Sequence, residues 1–155
     1  MEIKTILKMR EEEFSDNYLV VNLPAISKNE RVARNVVASF LLELNPSVES
    51  LNDIKTAVSE AVTNSVVHGY REKEGKCVLT LKIKDNIFYI KIEDFGVGIK
   101  NIEEAMQPFF TTGNTGERSG LGFTVMETFM DEVSVANQEC GTGLIVEMVK
   151  EISVE

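Results

Sequence analysis

Apolar residues recur at helical spacing in two long stretches of the first half of the chain. The first stretch follows Ser27 and Glu30, whose spacing is that of a capping box, and it ends at Asn45-Pro46. The second begins at Ser47 and continues to His68. Both stretches keep one apolar face, so we expect two amphipathic helices packed on a common core.

Alternating apolar and polar residues predict strands in the rest of the chain. The predicted strands span residues 17–25, 76–84, 87–93, 132–138 and 143–149. Asp85-Asn86 forms a tight turn between the second and third of these strands, and shorter helices are expected near 101–107 and 120–131. This mixture predicts an α+β fold, a two-layer α/β sandwich with helices on one face of the sheet.

The N-terminal segment lies outside this pattern. Residues 1–17 are highly charged and are interpreted as a mobile tail or an extension, and residues 18–155 as a single domain. The segment lacks the apolar stretch and cleavage site of a signal peptide, and no apolar run reaches membrane-spanning length. We therefore expect a cytoplasmic protein with no membrane partner.

The composition narrows the classes of ligand. A chain of 155 residues with a net charge of −9 argues against direct binding to nucleic acid, which needs cationic surface. An acidic protein suits basic partners, or a ligand that brings its own metal ion. Cys77 and Cys140 are far apart and form no metal-binding or disulfide pattern, so both are interpreted as ordinary residues.

The segment "SEAVTNSVVHGY" carries polar residues that a core helix does not require. Steps of four residues give Glu60, Asn64 and His68, which stack on one face of an α-helix. An acid, an amide and the only histidine of the chain thus lie in a row beside the apolar face.

Two glycine-rich segments follow. "IEDFGVGI" places Asp94, Gly96 and Gly98 directly after a strand, where glycine admits a ligand closely and a carboxylate can accept an exocyclic amino group such as that of adenine. "TGERSGLGF" leads into a helix whose free N–H groups suit a phosphate, with Arg118 beside them. Taken singly, an ordinary turn and a flexible loop with a glycine cap remain equally open interpretations.

In this order, and with "GT" between the last two strands, the segments resemble the GHKL ATPase family. "SEAVTNSVVHGY", "DFGVGI", "QPFFTT", "ERSGLGF" and "MDEV" are most similar to the sporulation anti-sigma F factors, with the stress-response anti-sigma kinases a step further away. The resemblance covers about residues 19–150. It implies the Bergerat ATP-binding fold, with a mixed, mainly antiparallel sheet.

The resemblance also implies roles for individual residues. Glu60 would be the general base for a substrate serine, and Asn64 would be a ligand of Mg²⁺ on the ATP phosphates. Asp94 would accept the adenine amino group, with support from Thr142. His68 has no implied chemical role and is interpreted as a packing or hydrogen-bonding residue. The implied ATP-binding set is Asn64, Asp94, Gly96, Gly98, Thr112, Arg118, Ser119, Gly120, Leu121, Gly122 and Thr142.

Within that set, Arg118 would sense or stabilise the γ-phosphate. Residues 111–116 would form a mobile lid. The lid sequence "TTGNTG" contains neither lysine nor proline, unlike its relatives, so it predicts no phosphate contact from a lid lysine.

The implied partners are a sigma factor of RNA polymerase, an anti-anti-sigma protein phosphorylated on serine, and a second copy of the chain. Arg34 matches a partner-contacting arginine, although a surface arginine paired with Glu30 explains it equally. Two functions remain. One is an anti-sigma factor that is also a Mg-ATP-dependent serine kinase. The other is a nucleotide-gated sigma-binding module without kinase activity. The presence of Glu60 favours the first.

Overall fold

The computed structural model describes residues 4–11, 15–70, 74–107, 122–140 and 142–153. Its helices and strands, in chain order, are α1 (Lys4–Glu11), β1 (Asn17–Pro24), α2 (Lys28–Leu41), α3 (Val48–Thr63), β2 (Lys76–Lys84), β3 (Ile87–Asp94), α4 (Ile102–Ala105), α5 (Gly122–Phe129), β4 (Glu132–Asn137) and β5 (Leu144–Glu151). A 3₁₀ turn, Leu42–Leu44, follows α2, and a π-helical turn, Asn64–Gly69, continues α3. Among the described helices, none combines the length and apolar character needed to cross a membrane.

The five strands form one sheet in the order β1-β2-β3-β5-β4. All four pairings between the described strands are antiparallel. Helices α2, α3 and α5 cover one face, with α3 in contact with both of the others. The predicted two-layer α+β sandwich with a mainly antiparallel sheet is confirmed.

The core lies between this helical layer and the sheet. Strand β2 alternates as predicted, because Leu79, Leu81 and Ile83 are buried while the residues between them are partly exposed. The predicted apolar face of α3 is buried as well, and it comprises Ile54, Ala57, Val58, Ala61 and Val62. The packing of these two apolar faces orients α3 so that its C-terminal end lies beside the C-terminal end of β3.

The N-termini of the two long helices differ. Ser47 has extended dihedrals, and its side chain accepts a hydrogen bond from the N–H of Ser50 at 3.1 Å. Ser27 has helical dihedrals and makes no capping bond, so the predicted capping box at Ser27 and Glu30 is wrong. A capping side chain reaches the helix N–H groups from an extended backbone, which Ser27 lacks.

Helix α1 shows that residues 4–11 are not a mobile tail, whereas the alternative interpretation of the charged N-terminal segment as an extension stays a prediction. Residues Lys4–Glu11 form a helix on the sheet face opposite α2, α3 and α5. Ile6 and Met9 are buried there against Tyr89 and Val149. Two apolar side chains three residues apart are a weak signal in a charged segment, and only the complementary sheet surface makes them a docking face.

Polar groups of the sheet hold both ends of α1. The Glu132 carboxylate accepts the N–H groups of Thr5 and Ile6 at 3.2 and 3.0 Å, which satisfies donors that have no partner inside a helix. At the other end, the Lys82 ammonium donates to the Met9 carbonyl at 3.2 Å. A carboxylate at the N-terminus and an ammonium at the C-terminus also match the helix dipole.

An ion pair between the exposed Arg10 and the buried Glu147 joins the last turn of α1 to β5. Arg10 donates to both carboxylate oxygens of Glu147 at 2.6 and 3.0 Å, and the Tyr89 hydroxyl donates to the same carboxylate at 2.7 Å. The hydrogen bonds that Arg10 donates to Glu147 raise the pKa of Arg10, and burial together with that carboxylate raises the pKa of Tyr89. The buried charge of Glu147 is therefore compensated by α1.

Loss of the buried α1 side chain is expected to release the helix. Ile6 is 0% exposed, whereas its neighbour Leu7 is 47% exposed. We expect Ile6→Ala to lower the free energy of unfolding by about 2 kcal/mol or more, and to increase amide exchange in α1. Leu7→Ala removes a similar volume from the exposed face and should change stability by less than about 0.5 kcal/mol. Equal effects of the two substitutions in chemical denaturation would contradict the docked position of α1.

Candidate functional site

A pocket open to solvent lies where β3 ends, between the π-helical turn and the first residues of α5 and β5, and it spans about 260 Å³ including part of the open solvent. Its wall is formed by Asn64, His68, Gly69, Asp94, Gly98, Ile99, Phe123 and Leu144. Three predicted site residues, Asn64, Asp94 and Gly98, therefore share one cavity. The same wall contains the apolar side chains of Ile99, Phe123 and Leu144, and mostly apolar walls with a few polar groups are typical of small-molecule sites.

Asp94 is the buried acid of this pocket. It is 2% exposed, and its Oδ1 accepts the N–H groups of Gly96 and Leu144 at 3.1 and 3.2 Å. Burial raises the pKa of the Asp94 carboxyl, while the hydrogen bonds from Gly96, Ser65 and Leu144 oppose that rise. The carboxylate is thus oriented by the protein before any ligand binds.

The two glycines after Asp94 are required by the chain itself. A Cβ at Gly96 would lie 2.0 Å from the Gly69 carbonyl oxygen, so no larger residue fits. Gly98 has a φ of +72°, and a Cβ there would lie 2.8 Å from Asn137 Oδ1. The sequence predicted that these glycines let a ligand come close to the backbone. The structure shows that Gly96 also lets the backbone of Gly69 come close.

Asn64 lies at the start of the π-helical turn. Its side chain is 5% exposed, and its Nδ2 has no hydrogen-bond partner among the described residues. A buried amide without a partner in a pocket wall is costly unless a ligand pairs with it. The described part of the chain contains no group of three or more His, Cys, Asp or Glu able to hold a metal ion. An amide oxygen from Asn64 beside ligand phosphates fits Mg²⁺, which keeps several waters and takes few protein ligands.

The end of α3 differs from the predicted α-helix. The N–H of Tyr70 bonds to the carbonyl of Ser65 at 3.0 Å, five residues earlier, which is the π-helical pattern. Counting in steps of four therefore holds from Glu60 to Asn64 but not from Asn64 to His68. His68 is half-buried and still reaches the pocket wall, because the wider turn carries it there.

Glu60 lies one turn before Asn64 and is half-buried. It does not belong to the described pocket wall. Thr142 is exposed, and its hydroxyl lies 3.7 Å from Cys140 Sγ. The group of this segment that reaches Asp94 is the N–H of Leu144, two residues later, so the roles predicted for Glu60 and Thr142 stay predictions.

Much of the predicted phosphate-binding segment lies outside the described residues. This holds for Thr112, Arg118, Ser119, Gly120 and Leu121, and for the predicted lid, residues 111–116. Gly122, the last of that set in sequence, is buried and begins α5. The next residue, Phe123, lines the pocket, so the start of α5 adjoins the cavity.

Arg34 forms an ion pair with a residue of its own helix, α2. Its Nε lies 2.8 Å from Glu30 Oε1, one turn earlier, as the surface-arginine interpretation expected. The Glu30 carboxylate also accepts the hydroxyl of Ser59 on α3. These contacts explain why Glu30 makes no capping box with Ser27, and they leave the partner-binding role of Arg34 a prediction.

Sequence reasoning missed several residues of the site. Ser65, Ile99, Phe123 and Leu144 take part through apolar contact, a hydroxyl or a backbone N–H. Tyr70 is the last residue of the segment "SEAVTNSVVHGY", and the sequence predicted no role for it. An apolar residue or a backbone N–H carries no sequence signal that separates a pocket wall from a core.

Comparison with known proteins gives a family match for this chain. Residues 23–150 match the family described as histidine kinase-like ATPase domain. The chain is 49% identical over 128 residues to the anti-sigma F factor of Bacillus subtilis, which covers 81% of this chain and 88% of that protein. It is also 49% identical over 136 residues to the anti-sigma F factor of a Thermoanaerobacter species, with 88% and 94% covered.

A similar fold occurs in the crystal structure of the RsbU and RsbW domains of a Mycobacterium tuberculosis protein. The TM-score is 0.65 at 20% sequence identity, and the likeness covers 90% of this chain and 33% of that longer one. At this identity the likeness concerns the fold alone.

Proposed function

The chain belongs to the histidine kinase-like ATPase domain family and, within it, to the anti-sigma F factors, and on that basis we propose that it is an ATP-binding anti-sigma factor and serine-protein kinase. It would hold a sigma factor of RNA polymerase inactive and phosphorylate a serine of an anti-anti-sigma protein. The observation that carries the proposal is the buried, oriented Asp94 in a pocket shared with Asn64, whose Nδ2 has no hydrogen-bond partner among the described residues.

Adenine recognition would rest on Asp94. Its carboxylate is an acceptor in a largely apolar pocket, and the exocyclic amino group of adenine is a donor. Ile99, Phe123 and Leu144 supply apolar surface for the ring. A carboxylate already oriented by two backbone N–H groups needs no rearrangement on binding, which favours affinity.

Phosphate binding would involve Asn64, the segment 118–121 and Gly122 at the start of α5. Mg²⁺ would supply charge neutralisation at the phosphates, with the Asn64 amide oxygen as its ligand from the protein. In the transfer step, Glu60 would take the proton of the substrate serine hydroxyl while that oxygen bonds to the γ-phosphorus of ATP. The bond from that phosphorus to the bridging oxygen breaks, and ADP leaves.

One alternative function is a nucleotide-gated sigma-binding module without kinase activity. The position of Glu60 outside the described pocket wall is the observation that favours it. Incubation of the chain with radiolabelled ATP and candidate anti-anti-sigma proteins separates the two functions. Label on a serine of the added protein supports the kinase. ATP-dependent sigma binding without label supports the module.

The proposal also includes the setting in which the protein acts. We propose a homodimer in the cytoplasm, with Arg34 of α2 contributing to the surface that meets a partner. The Arg34 side chain is 34% exposed although its Nε is buried beside Glu30, so part of the side chain stays accessible to a partner.

Substitution of Asn64 tests the metal site. Asn64→Ala should remove Mg²⁺-dependent ATP binding and leave the fold intact, because Asn64 lies in the pocket wall and its Nδ2 has no hydrogen-bond partner to lose among the described residues. Isothermal calorimetry with and without Mg²⁺ measures this. Asn52→Ala, an exposed position on the same helix, is the matched control. Unchanged Mg-ATP affinity in folded Asn64→Ala would remove Asn64 from the site.

A further inference from the structure

The phenol of Tyr70 holds the turn that carries Asp94. We propose that Tyr70 is a positioning residue for base recognition, and that its hydroxyl determines how strongly the pocket prefers adenine over a base without the exocyclic amino group. The inference rests on the proposed ATP binding. It adds to that function a residue that does not line the described pocket wall.

The Tyr70 hydroxyl is fully used by two backbone groups. It donates to the carbonyl of Lys76 at 2.7 Å and accepts the N–H of Phe95 at 2.7 Å. Phe95 directly follows Asp94, and Lys76 is the first residue of β2. One side chain therefore ties the end of β3 to the beginning of its neighbouring strand.

Neighbouring contacts hold the same turn from the same side. The N–H of Val97 donates to the carbonyl of Gly69 at 2.9 Å, and Gly96 packs on that carbonyl without room for a Cβ. The Lys76 ammonium lies 5.1 Å from the centre of the Phe95 ring, within reach of a cation–π interaction. The turn after Asp94 is thus positioned by residues 69, 70 and 76.

The π-helical turn delivers Tyr70 to this place. Its N–H bond to the Ser65 carbonyl closes the wide turn, so Tyr70 leaves the helix where β2 begins. The ring is packed on Gly75, where an added Cβ would lie 2.3 Å from ring atoms. Such turns occur frequently at functional sites. Because the ring is held by packing, loss of the hydroxyl alone should free the Phe95 N–H and leave the ring in place.

The link to selectivity runs through the Gly96 N–H. This group and the Leu144 N–H orient Asp94 Oδ1, and Gly96 belongs to the turn that Tyr70 holds. If the turn loosens, the carboxylate samples more orientations and its bond to an amino group weakens. Contacts to phosphates are made elsewhere, so they should be affected much less.

Tyr70→Phe tests this inference with ATP and inosine triphosphate as a pair of ligands. Both carry the same ribose and phosphates, but inosine has a carbonyl oxygen where adenine has the amino group. We expect the wild type to bind ATP more tightly than inosine triphosphate. In Tyr70→Phe the ratio of these two affinities should fall about tenfold, which corresponds to the free energy of one well-made hydrogen bond. Calorimetry of both ligands with each protein gives the ratio directly.

Two reference variants give the expected limits of the ratio between the two affinities. Tyr18→Phe removes a hydroxyl from a side chain that is 68% exposed on β1, and it should keep the wild-type ratio. Asp94→Asn should abolish the preference for ATP and so marks complete loss. Thermal unfolding of every variant reports stability separately, because a merely destabilised protein loses affinity for both nucleotides equally.

The outcomes separate this inference from the proposed function. A fall in the ratio at retained stability supports Tyr70 as a positioning residue. A wild-type ratio in Tyr70→Phe, or equal weakening of both nucleotides, overturns the inference while ATP binding stands. A wild-type protein that binds neither nucleotide overturns the proposed function, and this inference with it.

Discussion

Glu60→Gln is expected to slow phosphotransfer to a serine of an anti-anti-sigma protein by about 10²–10⁴-fold, the usual contribution of a general base. The substitution keeps the size of the side chain and removes its ability to accept a proton. ATP affinity should stay near the wild-type value, because Glu60 does not line the described pocket. Single-turnover transfer with labelled ATP measures the rate, and calorimetry measures the affinity.

The matched control is Glu49→Gln, the same chemical change at an exposed position in the first turn of the same helix. It should transfer phosphate at the wild-type rate. A Glu60→Gln protein that also keeps the wild-type rate would remove Glu60 from the mechanism. If neither the wild type nor the variants transfer phosphate, the nucleotide-gated binding module becomes the better description.

Asp94→Asn is expected to lower ATP affinity by about 10²-fold, the value of a charge-assisted hydrogen bond of about 1.5–3 kcal/mol. The amide oxygen can keep accepting the Gly96 and Leu144 N–H groups at the Oδ1 position. The amide nitrogen then presents a donor where the carboxylate presented an acceptor. The fold is preserved while the amino group of adenine is rejected.

Lowering the pH should weaken nucleoside binding by the wild type, as Asp94→Asn weakens ATP binding. Because burial raises the pKa of Asp94, its carboxylate takes up a proton at a higher pH than an ordinary aspartate does. A protonated carboxyl is a poorer acceptor, so affinity for adenosine should fall as the pH drops through that raised pKa. Adenosine is the better probe, since it has no phosphates that titrate. Asp94→Asn should show no such fall.

The control for Asp94→Asn is Asp53→Asn on α3. Asp53 lies 3.7 Å from Lys150 and outside the pocket wall, so the same change of charge should leave nucleotide affinity unaltered. A tight ATP complex of folded Asp94→Asn would show that adenine recognition depends on other groups.

Part of the site was predictable because its residues are chemically distinctive. A carboxylate and glycines after a strand, and an amide one turn beyond an acid, indicated Asp94, Gly98 and Asn64, which the fold brings into one pocket. The Leu144 N–H and the Phe123 side chain were not predictable. Every residue has an N–H, and an apolar residue at a helix start resembles any other core residue.

The sequence by itself determined the elements that depend on local rules. The alternation in β2, the apolar face of α3, the start of α3 at Ser47 and the turn at Asp85, with its φ of 56°, all follow from residues within one turn or one strand pair. Each local preference there agrees with the final fold, so pattern and structure coincide.

Only the tertiary structure decided the rest. Helix α1 docks because Glu132, Lys82 and Glu147, distant in sequence, lie together on the sheet face beneath it. The turn after Asp94 is held by a carbonyl and a phenol from the far end of α3. Ser27 makes no cap because its backbone is helical, and the Glu30 carboxylate pairs with Arg34 and Ser59 instead of reaching back to Ser27. These outcomes depend on pairings between segments that no local pattern encodes, because hydrogen bonds and charge pairs are chosen only when the sheet has brought their partners within reach.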